Sequence, residues 1–578
     1  MPCPERATGK FPSKEWRTTG KIEGYASASS VNVGEGITFY VSIKNLATHY
    51  DIRIYRLGWY DGDGGRLIAE KLNRVGTPQA MPDANHTTGL AECSWILPGG
   101  FAQNTWIASG APSGYYLAKI TTIGAVENPN LPPGEQGSRV FESYVPFVVR
   151  EDARASDFLF QASVTTWQAY NFWPADQGET NWKSGKSLYA GGARRGRLSW
   201  GPKVPDTDPD FAEVQARKVS FNRPYFPDNG IYGTAGKLFF WGEYNMARWM
   251  EHEGYDVTYT TDVDTDAASD LENGPLRPGH HKVFLSVGHD EYWSWKMRDN
   301  IEKARNRPTQ PLNIGWFGGN NVHWQIRFEN SSSPNSSPPD VPKRTMVAYK
   351  HLATSERPFI RDPNFVPLTQ GGSENNYLTT TLWRDNNNST TLGSTCPQNV
   401  QNCFKPPEDE LVGVMTTTPN TVTGRGDFNF YTGGDDEDDP PFPAWILGDI
   451  TNLNAIPNLV GYEADEIFDS PYNDPDTGDR WFWQLGDSTL YSNPGEPPGS
   501  TLSHAVFYKL KGSGPRARVF AAGTISWTWG LDDWGGPGGS GPALYGHPYT
   551  YDARVETMTR NILTCLRDGG ACDQPPPE

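Results

Sequence analysis

Long apolar runs are missing from this chain of 578 residues. The longest apolar pieces, such as Val283-Phe284-Leu285 and Tyr144 to Val149, fall far short of the 18 or more residues that cross a bilayer. Positive charge is also scarce: 50 Lys+Arg stand against 68 Asp+Glu, a formal charge of −18. A balance this acidic argues against nucleic acid or an anionic membrane surface as partner. Methionine is rare at 8 residues, so the core must be filled by other side chains. With 21 Trp, 26 Tyr and 26 Phe, that filling is aromatic. Gly (61) and Pro (48) exceed their ordinary share without reaching the range of low-complexity disorder, which predicts a loop-rich but packed chain of two to four domains.

Cysteine is sparse but not random. Cys396 and Cys403, and Cys565 and Cys572, are two local pairs with the same separation of seven, leaving Cys3 and Cys93 as a third candidate pair. Close pairs in Gly/Pro/Asn-rich loops read as disulfides and an oxidising, extracytoplasmic location, with free thiols in the cytoplasm as the alternative. The sequence Met-Pro-Cys-Pro-Glu-Arg carries no basic-then-apolar leader, which is expected of a cytoplasmic protein or of a mature exported one. Asn-x-Ser/Thr sites at Asn85, Asn330, Asn335 and Asn388 favour export weakly. Cys-x2-Cys and His-x3-His zinc spacings are absent.

Hydrophobic periodicity divides the chain into three expected parts. Residues 1–152 read as an all-β sandwich of immunoglobulin-like type, with alternating strands at Ile37 to Ile43, Tyr50 to Leu57, Tyr115 to Ile120 and Tyr144 to Val149. Asp61-Gly-Asp-Gly-Gly65 reads as a hairpin tip rather than a calcium loop. Residues 153–350 alternate strand and helix: strands at Asp157 to Ser163, Tyr255 to Thr260, Val283 to Val287 and Leu312 to Phe317, helical spacing in Gly236 to Glu253 and again from Trp293 with Met297, Ile301 and Ala304 on one stripe. That pattern is an α/β domain with a parallel sheet of flavodoxin-like, doubly wound kind, whose ligands bind beyond the carboxyl ends of the strands. Residues 351–578 form a β-rich extension of that domain, with short strands at Leu411 to Thr416, His504 to Lys509 and Arg518 to Ala522 and a closing helix from Asp552 to Leu566.

The strand ends concentrate chemistry. Ser286-Val-Gly-His-Asp-Glu-Tyr-Trp293 passes from strand to helix, with Asp290 expected as the helix cap. No cysteine lies between Cys93 and Cys396 and no Gly-x-Ser-x-Gly elbow occurs in such a context, which excludes thiol chemistry from this part and disfavours a serine hydrolase. Tyr259 to Asp264 and Gly318-Gly-Asn-Asn-Val-His-Trp324 end the neighbouring strands. A polar cleft with aromatic walls is expected there.

Asp157-Phe-Leu-Phe-Gln-Ala162, Gly242-Glu-Tyr-Asn-Met-Ala-Arg-Trp249, Gly254-Tyr-Asp-Val-Thr-Tyr259, Gly288-His-Asp-Glu-Tyr-Trp293, Gly318-Gly-Asn-Asn-Val-His-Trp324, Gly371-Gly-Ser-Glu-Asn375 and Gly523-Thr-Ile-Ser-Trp-Thr-Trp-Gly530 together resemble the large (beta) subunit of N,N-dimethylformamidase and its C-terminal-domain relatives, over about residues 155 to 566. The resemblance implies an amidotransferase-like domain with a mononuclear ferric iron held by two tyrosinates and a glutamate, whose bound water hydrolyses a formamide. Carried onto this sequence, the ligands are Tyr292, Glu374 and, with Tyr255 as the alternative, Tyr259. Three hard anionic oxygens suit a ferric ion. His289 would then move protons, with Asn320 or Asn321 donating to the developing oxyanion. The resemblance also implies a small partner subunit, while a homo-oligomer is possible. The expected function is thus metal-dependent hydrolysis of the C–N bond of a small amide. The competing reading is a secreted, non-catalytic binding protein, with Trp173, Trp182, Trp241, Trp316, Trp527, Trp529 and Trp534 as stacking surfaces. A glycosidase using Asp262, Asp264 and Glu291 ranks third, and Asp474 to Asp479 is a candidate structural calcium loop.

Overall fold

The computed structural model describes residues 21–44, 47–85, 87–125, 140–174, 187–189, 215–225, 242–268, 274–331, 342–355, 358, 360–370, 372, 375–386, 405–416, 424–431, 442–468, 478–489, 502–534 and 551–574. The chain is of mixed α/β type, rich in strands and with few helices. It divides into two compact units, one drawn from residues 1–151, 164–238 and 326–362 and the other from 152–163, 239–325 and 363–578.

In the first unit, eight strands form two sheets: β1 (Ile22–Ala26), β2 (Ser30–Asn32), β3 (Gly36–Ile43), β4 (His49–Leu57), β5 (Gly65–Val75), β6 (Thr105–Ile107), β7 (Gly114–Ile123) and β8 (Glu142–Arg150). The sheet orders are β1-β3-β6 and β2-β8-β7-β4-β5. Alternation explains the packing. Ile37, Phe39, Val41 and Ile43 of β3 meet Ile52 and Ile54 of β4 and Val145 and Phe147 of β8 in one apolar core. Between β4 and β5 the chain turns at Tyr60–Gly62, where Asp61 takes φ +55, so the Asp/Gly cluster is the hairpin tip that its composition predicts.

A second cluster joins Tyr25 and Tyr40 to Cys93, Trp95 and Trp173. Tyr25 stacks on Tyr40 at 5.0 Å and meets Trp95 at 5.3 Å, and Trp173 Nε1 donates to Glu23 at 3.2 Å. Cys93 is a free thiol buried in this cluster, which corrects its expected pairing with Cys3. Cys3 itself, and the pair Cys396 and Cys403, lie outside the described residues.

The second unit is built on a nine-stranded sheet. Its strands are β9 (Ser156–Ala162), β10 (Val257–Thr261), β11 (His281–Gly288), β12 (Asn313–Gly318), β13 (Gly424–Phe430), β14 (Ile456–Tyr462), β15 (Arg480–Thr489), β16 (Leu502–Leu510) and β17 (Arg518–Ala521). In the order β10-β9-β11-β12-β17-β16-β15-β13-β14, the first five are parallel and the rest antiparallel. The parallel strands are apolar on both faces, as the runs Phe158 to Phe160 and Val283 to Leu285 require. Its helices include α1 (Tyr244–His252), the short α2 (Asp262–Ala267), α3 (Trp295–Arg305) and α4 (Ala553–Asp568), of which α1, α3 and α4 carry apolar stripes. The expected stripe of Met297, Ile301 and Ala304 is buried on α3, and Asp552 caps α4.

Two expectations fail here. Leu411 and Val412 lie in a short helix, Glu408–Val412, not a strand, because three acids fill its first turn and Gly413 ends it at φ +96. Asp290 is not the cap of α3: Ser294 is, accepting the Met297 N–H at 3.0 Å. The Asp290 carboxylate is turned to the sheet, accepting from Ser286 (2.7 Å), Gln161 (2.8 Å) and Trp293 Nε1 (2.9 Å). Its complete burial raises its pKa.

Candidate active site

Strands β11 and β12 end on glycines where any side chain would be strained. Gly288 has φ +79, and a Cβ on Gly318 would stand 2.2 Å from the Gly288 carbonyl oxygen. This close approach lets the segments after both strands run side by side. Gly319 N–H donates to Gly288 O at 3.2 Å, Val322 to Asp290 O at 2.9 Å and Trp324 to Glu291 O at 2.9 Å. A third segment, Glu463 to Asp465 after β14, joins them through Asn320, whose backbone N–H donates to the Asp465 carboxylate.

These three segments bring together a buried charged cluster at the carboxyl edge of the parallel sheet. His289 Nε2 lies 3.2 Å from Glu291 Oε2 and 3.2 Å from Glu463 Oε2. Its Nδ1 lies 3.2 Å from the carbonyl oxygen of Gly319, which can only accept, so the proton on Nδ1 is fixed. The histidine side chain is 2% exposed, against 4% for Glu291 and 10% for Glu463. Burial opposes charging His289, but Glu463 and Glu291 outweigh it and push its pKa up to about 9. The ring is therefore an imidazolium at neutral pH. Glu463 is raised by burial, with His289 opposing.

Around this centre the supporting bonds are ordered. Trp324 Nε1 donates to Glu291 Oε1 at 2.8 Å, and Asn320 Nδ2 donates to Glu463 Oε2 at 2.8 Å. Both oxygens of Asp465 accept the Asn320 backbone N–H at 2.9 Å, holding a residue whose φ is +54. Burial pushes the Asp465 carboxyl up to about 7. Beside it, His323 Nδ1 is 3.5 Å from Glu408 Oε1, and Arg384 Nη2 pairs with the same oxygen at 3.1 Å. Burial favours the neutral acid at Glu408, yet His323 and Arg384 overcome it and lower its pKa.

Several polar atoms in this cluster have no hydrogen-bond partner among the described residues. They are Asn320 Oδ1, both Oδ1 and Nδ2 of Asn321, and Glu463 Oε1. Buried polar atoms are almost always paired, by protein or by ordered water, so these atoms are open to water or to a ligand.

The chain matches the family described as N,N-dimethylformamidase beta subunit-like, C-terminal, over residues 51–541. It belongs to that family. The match begins within β4, so the family's extent includes most of the sandwich and not only the stretch from 155 onward. No curated protein matches the chain.

Of the residues that the family resemblance nominates, Tyr292 is fully buried in the short strand Tyr292–Ser294, immediately after the cluster. Tyr259 lies within β10, two residues from its carboxyl end, with its ring stacked on Phe160 at 5.3 Å. Tyr255 precedes β10 at the opposite end and packs on Phe158 and Trp249, with burial pushing its pKa up to about 12. Glu374 lies outside the described residues. Among the described residues no group of three or more His, Cys, Asp or Glu is arranged as a metal site. Of the two asparagines, Asn320 spends its amide N–H on Glu463, whereas the Asn321 carboxamide is unspent.

The rival assignments find structural employment. Asp264 completes a capping box with Thr261 at the start of α2, and Asp262 is buried in the first turn of the same helix. Trp173, Trp316, Trp527, Trp529 and Trp534 are buried and offer no stacking surface, while Trp182, Trp241 and residues 474–477 of the candidate calcium loop are outside the described residues. Glu463, Asp465 and Glu408 are cluster members that the sequence reading missed. Their signal is faint: Glu463 and Asp465 alternate directly after a strand, so both point to one side of the chain.

Proposed function

We propose that the chain is a metal-dependent hydrolase that cleaves the C–N bond of a small amide. The observation that carries this reading is the buried imidazolium of His289, held between Glu291 and Glu463 beside an unpaired carboxamide, in a chain of this family. The donor chemistry suits an iron ion. Tyr259 and Tyr292 are both removed from water, where a phenol ionises only beside a cation. Tyr259, Tyr292 and Glu374 would hold the ion, which supplies a Lewis acid and a lowered pKa for its water when bound.

The chain's own groups then handle protons and charge. His289 Nε2 carries a proton that it can deliver to the leaving nitrogen, and Glu463, raised by burial, can take one up. The Asn321 Nδ2 donates to the amide oxygen as negative charge grows there. The near-complete burial of His289 and Glu291 keeps bulk water from competing.

Within this reading the sandwich is immunoglobulin-like, and the parallel sheet is amidotransferase-like. The support for the second is its order, with β9 between β10 and β11, as in flavodoxin-like sheets. The family description names a beta subunit, which supports a companion chain. The disulfide Cys565–Cys572 supports an extracytoplasmic location, and no described helix is long and apolar enough to cross a membrane.

Metal analysis with a visible spectrum tests the reading. About one iron per chain is expected, with a tyrosinate charge-transfer band that is lost in Tyr292→Phe and weakened in Glu374→Ala. A protein that stays colourless and metal-free after incubation with ferric salt overturns it.

A further inference from the structure

We infer that Asp465 is a positioning residue for the buried centre, and that it acts through Asn320 to hold Glu463 as an anion against His289. The inference rests on the hydrolase reading above for its catalytic consequence and adds a residue that the reading does not use. Three contacts in series carry it. Both Asp465 oxygens accept the Asn320 backbone N–H at 2.9 Å, Asn320 Nδ2 donates to Glu463 Oε2 at 2.8 Å, and that same oxygen lies 3.2 Å from His289 Nε2. Asp465 is 1% exposed, and the Asn320 N–H is the one donor that its carboxylate meets among the described residues. Removing the carboxylate is therefore felt first at Asn320.

Asn320 needs holding. Its φ of +54, and the +56 of Val322 two residues on, are conformations that residues with side chains keep only where their surroundings impose them. Val322 N–H is tied to Asp290 O, and Asn320 N–H to Asp465. The Asp465 backbone cannot follow a shift, since its N–H donates to Gly523 O at 2.9 Å and its carbonyl accepts the His504 N–H at 2.8 Å. Gly319 closes the gap between the segments. A Cβ there would stand 2.7 Å from the Glu463 carbonyl oxygen, so the two backbones already touch and only side chains are left to adjust.

The consequence is a charge. Burial pushes the Glu463 carboxyl toward its neutral form, and His289 and then the Asn320 bond oppose this. Burial likewise opposes the charge on His289, and Glu463, ahead of Glu291, is the carboxylate that does most to overcome it. Without the Asn320 bond Glu463 takes up a proton more readily, and His289 loses the partner that keeps it an imidazolium. The other groups around Asp465 do not substitute for this route. Arg384 of the short helix Trp383–Asn386 and Glu408 of Glu408–Val412 are paired with each other at 3.1 Å, and burial keeps His504 of β16 neutral. His323 also bears on Glu463, but more weakly than the Asn320 bond.

The test has two arms. On the iron-loaded protein, kcat/KM for formamide should fall at high pH as His289 loses its proton, at about pH 9. Asp465→Ala should move that limb down by about one pH unit or more, and Asp465→Asn, which keeps an acceptor for the Asn320 N–H, should restore most of it. Asn320→Gly suits the positive φ and removes the link to Glu463, so it should move the limb as far as Asp465→Ala does. A limb that stays in place while the rate falls at every pH overturns the inference. The second arm needs no hydrolysis. Urea unfolding at about pH 6 and about pH 9.5 measures the pH-dependent stability that His289→Gln removes. That difference should shrink to about half or less when His289→Gln is made in Asp465→Ala, and the titration of Asp465 itself cancels within each pair. If Asp465→Ala does not fold, Asn320→Gly carries both arms. If formamide is not hydrolysed, the hydrolase reading fails by itself and the stability arm decides: a smaller difference supports the role of Asp465, and an undiminished one overturns it.

Discussion

His289 is the residue on which the site's electrostatics turn. Its pKa of about 9 in the fold exceeds the ordinary 6.5, so its charge stabilises the folded chain fully below pH 6.5 and that contribution is lost as the pH rises through 9. A difference of this size corresponds to about 3 kcal/mol. Asp465, raised to about 7 from the ordinary 3.8, works in the same direction, since its ionisation is resisted by the fold and costs stability as pH climbs through that interval. Urea unfolding at pH 6 and pH 9.5 should therefore show the wild type losing more stability with rising pH than His289→Gln, whose profile should be flatter. Parallel profiles would contradict the buried imidazolium. His289 was legible in the sequence because it follows a strand and a glycine. Its partner Glu463 was not, because it reaches the cluster from 174 residues further along the chain, and no local pattern reports so distant a contact.

At the scale of elements, the site depends on how closely β11 and β12 end. The Gly288 and Gly318 contact sets the path of both following segments, and every backbone bond that laces them together depends on it. Gly318→Ala should cost at least about 2 kcal/mol and disturb the cluster, because the added methyl meets backbone rather than a movable side chain. A melting temperature equal to the wild type's would show that the segments tolerate separation. The strands themselves were readable from their apolar runs, and α3 from its stripe. The exact start of α3 was not, because two polar residues near its beginning, Asp290 and Ser294, both suit a cap and only the fold assigns Asp290 to Ser286, Gln161 and Trp293. The segment around Leu411 misled for a related reason. Its apolar run is too short to separate strand from helix, and the acids before it, at Glu408 to Glu410, decide the matter through the helix N-terminus.

At the scale of the whole molecule, composition foretold an aromatic interior, and the buried tryptophans confirm it while removing them as a binding surface. Residues 164–238 and 326–362 group with residues 1–151 although their sequence lies among the α/β elements. What unites the account is one claim: the cluster at the carboxyl edge of the parallel sheet hydrolyses amides. The most direct measurement of it is the rate of formamide hydrolysis by the iron-loaded wild type and by His289→Gln. The account predicts measurable turnover in the wild type and a fall of about 10²- to 10⁴-fold in kcat for the variant, with KM little changed. Equal rates in the two proteins, or no hydrolysis by either, would contradict it.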